Sequence, residues 1–224
     1  MADLQLYSVS KRFGKKVILN DVSFKCSTGD VLAIFGKNGC GKSTLLKLLY
    51  GTIKANAIDM SINGKKAKPS EVIEKKQIAY LPQHSFLPKT VLVRDIIPMY
   101  FSSQEKQDQI FYDTLTSTIA AKKVGALSIG QLRYFQVLLI SHLDAPFLLF
   151  DEPYSMIDPK YKDIISQRLT QIKHKKGIII TDHYYEDVLN ISTKNLLLKD
   201  GKSHLITSKE DLVKLFYLPK HTSK

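Results

Sequence analysis

Short apolar runs, bounded by turn formers, organise this chain. Leu4–Val9, Val22–Cys26 and Val31–Phe35 alternate or run apolar over strand lengths, with Thr28, Gly29 and Asp30 between the last two. Ile58–Ile62 turns at Asn63-Gly64, and Ile78–Leu81 stops at Pro82, whose ring disfavours a helical predecessor. The run Ser43–Tyr50 has helical spacing and ends before Gly51. From Pro88 the pattern changes. Thr90–Ile97 is apolar with helical periodicity and is expected to be interrupted at Pro98, and Asp108–Ala121 predicts a second helix with a polar face. Strand character returns at Phe147–Phe150, followed by a helix over Tyr161–Lys173 and a strand from Gly177 through Ile178–Thr181. Leu196–Lys199 and Ser203–Thr207 flank Asp200-Gly201 as a hairpin, and a terminal helix is expected over Asp211–Leu218, with 219–224 fraying. Strands alternating with helices place the chain in the α/β class as one domain over 1–224, with residues 88–130 as a helical insertion.

Composition narrows the class without naming a chemistry. The 224 residues are 44% apolar and 9% aromatic, enough for a core of one large domain. No run approaches a membrane span, and MADLQLYSVS lacks the basic-then-apolar plan of a signal peptide, so a cytoplasmic location is expected. Cys26 and Cys40 form no metal or redox pair with each other, and six scattered histidines make no ligand cluster. The net charge of +12 is carried mostly by dispersed lysine pairs such as Lys65-Lys66 and Lys175-Lys176. Such lysines suit a solvated surface, although a polyanionic partner has the same charge requirement.

The chemistry begins at GKNGCGKST. Gly36, Gly41, Lys42 and Ser43 complete the G-x-x-x-x-G-K-S pattern between a strand and a helix. Backbone N–H groups over Gly36, Lys37, Asn38, Gly39, Cys40 and Gly41 would cradle phosphate, Lys42 would reach the terminal phosphates, and Ser43 could hold magnesium. This predicts binding of a nucleoside triphosphate. Cys40 lies beside Lys42 and a helix N-terminus, a setting expected to lower a thiol pKa, though the loop needs only its backbone. In FLLFDEP a buried strand ends on Asp151, placed to hold magnesium, and Glu152, placed to orient or deprotonate water. His183, after IIITD, is either structural or on the strand edge where ligands collect; Gln83, ending IAYLPQ, has the same placement. In GALSIGQLR, Ser128 and Gln131 have capping-box spacing, while Gly130 in the first turn implies a close approach to the backbone.

Taken in order, the P-loop, YLPQ, LSIGQ, FLLFDEP, SMID and TDH resemble the ATP-binding cassette ATPases over residues 4–207. The resemblance implies a P-loop NTPase RecA-like core with an antiparallel β subdomain and a helical subdomain. It implies ATP and Mg2+ as cofactors, Phe13 stacking on adenine, Gly36–Thr44 on the phosphates, and Ser43, Gln83 and Asp151 around magnesium. Glu152, His183, Gln83 and Lys42 become the catalytic set, and Ser155–Asp158 match the D-loop. Ser128, Gly130 and Gln131 would touch ATP held by a second cassette, head to tail, with Gly130 clearing the γ-phosphate. Ile129 stands where the family's commonest signature has glycine; an ordinary helical φ is expected there. Integral membrane permease subunits are the implied partners, with the chain peripheral on the cytoplasmic face and no direct nucleic-acid partner. A soluble cassette acting on the ribosome, DNA or another complex is the alternative, although the stretch from Lys42 to Asp151 has no room for the long coiled coil of DNA-repair relatives. A GTPase reading lacks its N-K-x-D motif.

Overall fold

The computed structural model describes residues 1–214. Its order is β1 (Asp3–Phe13), β2 (Lys16–Leu19), β3 (Phe24–Ser27), β4 (Val31–Phe35), α1 (Lys42–Tyr50), β5 (Ala57–Ile62), β6 (Lys65–Lys66) and β7 (Ile78–Leu81). Four helices follow: α2 (Val93–Tyr100), α3 (Gln104–Phe111), α4 (Thr114–Ile119) and α5 (Ile129–His142). The remainder is β8 (Phe147–Asp151), α6 (Pro159–Ile172), β9 (Gly177–Thr181), α7 (Tyr185–Leu189), β10 (Lys194–Lys199), β11 (Lys202–Ile206) and α8 (Lys209–Lys214). Beyond Lys214 the expected terminal helix and tail lie outside the described residues.

Two sheets share the core. One has the order β11-β10-β4-β9-β8-β7, parallel except for the antiparallel β10–β11 hairpin. The other is antiparallel, with β1 pairing β2, β3 and β5, and β5 pairing β6. β4 is buried at every position because both its faces are covered. Leu32 and Ile34 join α1 and the antiparallel sheet in one apolar cluster; Val31, Ala33 and Phe35 face α5, α6 and the α2–α4 helices in the other. This is a RecA-like P-loop core carrying a β layer on one side and helices on the other.

Several boundaries move for identifiable reasons. β1 extends to Phe13 and pairs with β2, a hairpin that the polar run SKRF conceals. α2 continues through Pro98, contrary to the expected break. Pro98 and Arg94, whose carbonyl loses its N–H partner, are both exposed, so the lost hydrogen bond falls on the solvent side of the helix. The helix expected over Asp108–Ala121 is instead two helices. Asp113 caps α4 by accepting from Leu115 N at 3.1 Å and Thr116 N at 3.2 Å, and Tyr134 on α5 donates to the same carboxylate at 2.7 Å. The short α7 was hidden in a mixed polar stretch.

Candidate functional site

Every parallel strand near the middle of the sheet ends at the same edge, and the register brings their last residues together. Asp151 pairs with Thr181 across β8 and β9, Ile34 pairs with Thr181 across β4 and β9, and Leu81 pairs with Phe150 across β7 and β8. The loops leaving this edge carry the P-loop, Gln83, Glu152 and His183, where open parallel sheets collect ligands. A cleft of about 440 Å³ opens there, lined by Asn38, Gly39, Gly41, Lys42, Ser43, Thr44, Gln83, Glu152, Ser155, His183 and Ile18. Sequence reasoning missed Ile18, which sits on the concealed β1–β2 hairpin.

The phosphate loop has the backbone that its sequence demands. Gly41 caps α1 at φ 111°, a left-handed conformation, and an added Cβ would meet Ile18 Cγ2 at 2.8 Å. Buried Lys42 donates from Nζ to the Gly36 carbonyl at 2.7 Å and to the Lys37 carbonyl at 3.4 Å, so its ammonium lies inside the loop curve. Cys40 departs from expectation: burial pushes its thiol pKa up, outweighing the opposing pull of Lys42. Cys26, buried in β3, is likewise pushed up by burial, to about 12.

Asp151 is 1% exposed and fully engaged. Oδ1 accepts from Ser43 Oγ at 2.9 Å and Thr181 Oγ1 at 2.8 Å, while Oδ2 accepts from Tyr80 OH at 2.9 Å. Ser43, which lines the cleft, and Asp151 behind it therefore present adjacent oxygens, a donor pair that suits magnesium bound mainly through phosphate oxygens and water. Among the described residues no group of three or more histidine, cysteine or acidic side chains could hold a metal unaided. Tyr80 and Thr181 open the YLPQ and TDH segments, but only their places toward the ends of β7 and β9 reveal that they hold Asp151.

Glu152 follows at φ 52°, unusual for a residue with a side chain, and its N–H donates to Thr181 O at 2.8 Å. Its carboxylate accepts from Gln83 Nε2 at 2.8 Å and lies 3.9 Å from His183 Nδ1. Asp182, fully buried, accepts from the N–H groups of Tyr154 at 2.9 Å, His183 at 2.8 Å and Tyr184 at 3.0 Å. Burial raises its pKa and these N–H groups oppose the rise. That carboxylate ties the loop after β8 to the loop carrying His183, a role that its place inside TDH does not reveal.

Ser128, Gly130, Gln131 and Phe13 do not line this cleft. Ser128 forms the expected capping box: its Oγ accepts from Gln131 N at 3.2 Å and its N–H donates to Gln131 Oε1 at 3.1 Å. Ile129 is absent from the residues with positive φ, as expected for an ordinary helical position, and is 58% exposed. The close approach at Gly130 comes from the chain itself. A Cβ there would lie 2.2 Å from Tyr161 Cδ2, so the glycine admits the Tyr161 ring of α6 and needs no ligand to explain it. Phe13 is half-exposed at the end of β1, with Lys11 Nζ 4.7 Å from its ring centroid.

The family model described as ABC transporter matches residues 19–155, more than half of the chain. The chain is 26% identical over 221 residues to the lipopolysaccharide export system ATP-binding protein LptB of Acidithiobacillus ferridurans, covering 94% of this chain and 92% of that protein. It is 28% identical over 208 residues to the ribose import ATP-binding protein RbsA of Chromobacterium violaceum, covering 86% of this chain and 41% of the relative. Among solved structures, a nucleotide-free ATP-binding cassette from an ABC transporter superposes with TM-score 0.83 at 22% identity, over 98% of this chain and 97% of that one. An ATP-binding subunit of an ABC transporter does so with TM-score 0.82 at 20% identity, over 96% and 93%. With that family model matched over more than half of its length and the same P-loop fold, the chain belongs to the ABC transporter family, among its ATP-binding subunits.

Proposed function

We propose that this chain hydrolyses ATP to ADP and phosphate and so drives transport through a separate membrane-embedded partner. The observation that carries the reading is the meeting of Lys42, Ser43, Gln83, Glu152 and His183 in one cleft, with Asp151 bonded to Ser43 beside it. Lys42 would exchange its carbonyl partners for phosphate oxygens, and the N–H groups over Gly36–Thr44 would hold the remaining charge. Ser43 and Asp151 would hold magnesium, with Gln83 beside it; bound there, the ion supplies charge neutralisation at the phosphates. Glu152 would orient the attacking water and accept its proton, held by the Gln83 amide. His183, whose Nδ1 lies 3.9 Å from the same Glu152 oxygen that Gln83 meets, would donate a hydrogen bond to the terminal phosphate. Phe13 would stack on the base.

Ser128 and Gln131 lie outside the cleft of their own chain, which supports a site completed by a second cassette head to tail. Gly130 would lie beside them at that contact. The α2–α4 helices, within the insertion over 88–130, would form the subdomain facing integral permease subunits, placing the chain on the cytoplasmic face. No helix among the described residues is long and apolar enough to cross a membrane. The relatives are named as ATP-binding proteins for export and for import alike, so the proposal commits to the ATPase step and to no cargo.

Glu152→Gln tests the proposal by size-exclusion chromatography with light scattering, with and without ATP and magnesium. The variant is expected to form a nucleotide-held dimer that the natural chain populates only briefly. Tight ATP binding with a monomer at every concentration overturns the paired site, and failure to retain an integral protein from detergent-solubilised membranes overturns the transport role.

A further inference from the structure

Arg133 is the one formally charged residue among the buried positions of α5, a helix whose other buried positions from Tyr134 to Ile140 are apolar except Gln136. A helix packed on a sheet gains nothing from a guanidinium there, since burying one costs free energy unless its donors are paired. Arg133 is 8% exposed, and its donors reach the backbone of a different element. Nη1 donates to the Pro82 carbonyl at 3.0 Å and Nη2 to the Gln83 carbonyl at 2.5 Å. Three residues along α5, Gln136 Nε2 donates to Ser85 Oγ at 2.9 Å. The two side chains share one helix face and grip the segment 82–85 at two points.

That segment carries Gln83, whose amide meets the Glu152 carboxylate at 2.8 Å. The path from helix to carboxylate is therefore one guanidinium, one backbone residue and one amide. A planar fork matches two successive carbonyl oxygens, and a lysine in its place would supply a point charge without that geometry. The fork is also placed electrostatically. Burial lowers the guanidinium pKa, while Asp182, Asp151 and Glu152 together pull it up. The positive charge thus compensates the acidic end of the cleft without touching any of the three.

We infer that Arg133 is a positioning residue for ATP hydrolysis: its fork fixes the Pro82–Gln83 backbone so that the Gln83 amide meets Glu152, joining the Ser128 end of α5 to the reacting end of the cleft. The inference rests on the roles proposed above for Gln83 and Glu152. Arg133 is not among the residues lining the cleft, and acts only through Gln83.

The test is steady-state ATPase kinetics of the full chain carrying Arg133→Met, Arg133→Lys, Gln83→Ala and the Arg133→Met/Gln83→Ala pair, with ATP affinity measured separately. Arg133→Met is expected to lower kcat by about 10-fold or more, the scale set by small misplacement of a reacting group, with KM within about 2-fold of the parent. Arg133→Lys should fall between Met and the parent. The pair should be no slower than Gln83→Ala alone, because both changes break the same link. Losses that multiply in the pair, or a raised KM with unchanged kcat, overturn the inference and leave Arg133 a packing residue. If Arg133→Met does not fold, Arg133→Lys decides: parental kcat in a folded Lys variant overturns the inference. Parental kcat in Gln83→Ala would overturn the site reading itself, whereas a slow Gln83→Ala beside fast Arg133 variants overturns only the role of Arg133.

Discussion

Gly130→Ala isolates what the glycine in LSIGQ does for the chain itself. The added Cβ would stand 2.2 Å from Tyr161 Cδ2, 2.6 Å from Cε2 and 2.7 Å from Cγ, against an ordinary carbon–carbon contact of about 3.5–4.0 Å. The clash is with the flank of the ring, so Tyr161 must swing or α5 must lift from α6. Overpacking of this kind costs about 1–3 kcal/mol. Replacing glycine by alanine in a helix returns up to about 1 kcal/mol. The expected net loss is about 1–2 kcal/mol, and for a chain of this size each 1 kcal/mol lowers Tm by about 2–4 °C. Urea unfolding of Gly130→Ala, Tyr161→Ala and the pair checks the reasoning. With the ring removed, adding the methyl group should be neutral or stabilising, so its effect changes sign between backgrounds. A Gly130→Ala chain as stable as the parent, or an equal loss in both backgrounds, would refute the packing account. If Gly130 also clears a phosphate of a second cassette, the pair should regain stability while ATP turnover stays low.

Two further perturbations probe neighbouring parts of the molecule. Tyr80→Phe removes the hydroxyl that donates to Asp151 Oδ2 and should cost about 1–3 kcal/mol, the worth of a hydrogen bond to a charged group, read by urea unfolding. With Asp151 held only by Ser43 and Thr181, the magnesium concentration for half-maximal turnover should rise; an unchanged magnesium dependence would contradict the placement of the ion. His142, between α5 and α6, has its pKa lowered first by burial and further by Arg168 and Lys176, with the Leu138 carbonyl and Asp113 opposing. The unfolded chain therefore binds the proton more readily, so stability should fall as pH drops through the ordinary histidine value of about 6.5 toward the lowered one. His142→Gln should flatten that part of the stability–pH curve, and an unaltered slope would assign it elsewhere.

How much of this could be read without a fold differs by element. The P-loop, the strand ending on Asp151-Glu152 and the capping box at Ser128 are local: each depends on a few successive residues whose backbone preferences agree, so pattern alone located them. Local signals misled where tertiary contacts compete. Asp113 breaks a helical pattern because its cap is anchored by Tyr134, twenty-one positions on, and Pro98 stays inside a helix because its lost hydrogen bond falls on the wet side. The β1–β2 hairpin was hidden because its outer face is polar and its register contains a bulge between Lys11 and Arg12.

The sequence by itself determined the class of the fold, the phosphate loop and the order of the motifs, because glycine conformations, helix caps and buried strands are short-range consequences of residue type. Only the tertiary structure decided what supports those motifs. That Tyr80 and Thr181 hold Asp151, that Asp182 joins two loops, that Arg133 grips the backbone beside Gln83, and that Tyr161 explains Gly130 are all meetings of residues distant in the chain. Nothing in the local pattern marks a partner that arrives from another strand or helix. The raised thiol pKa of Cys40 follows the same logic: the sequence displays the lysine and the helix that would lower it, while burial, which prevails, exists only once the chain has folded around it.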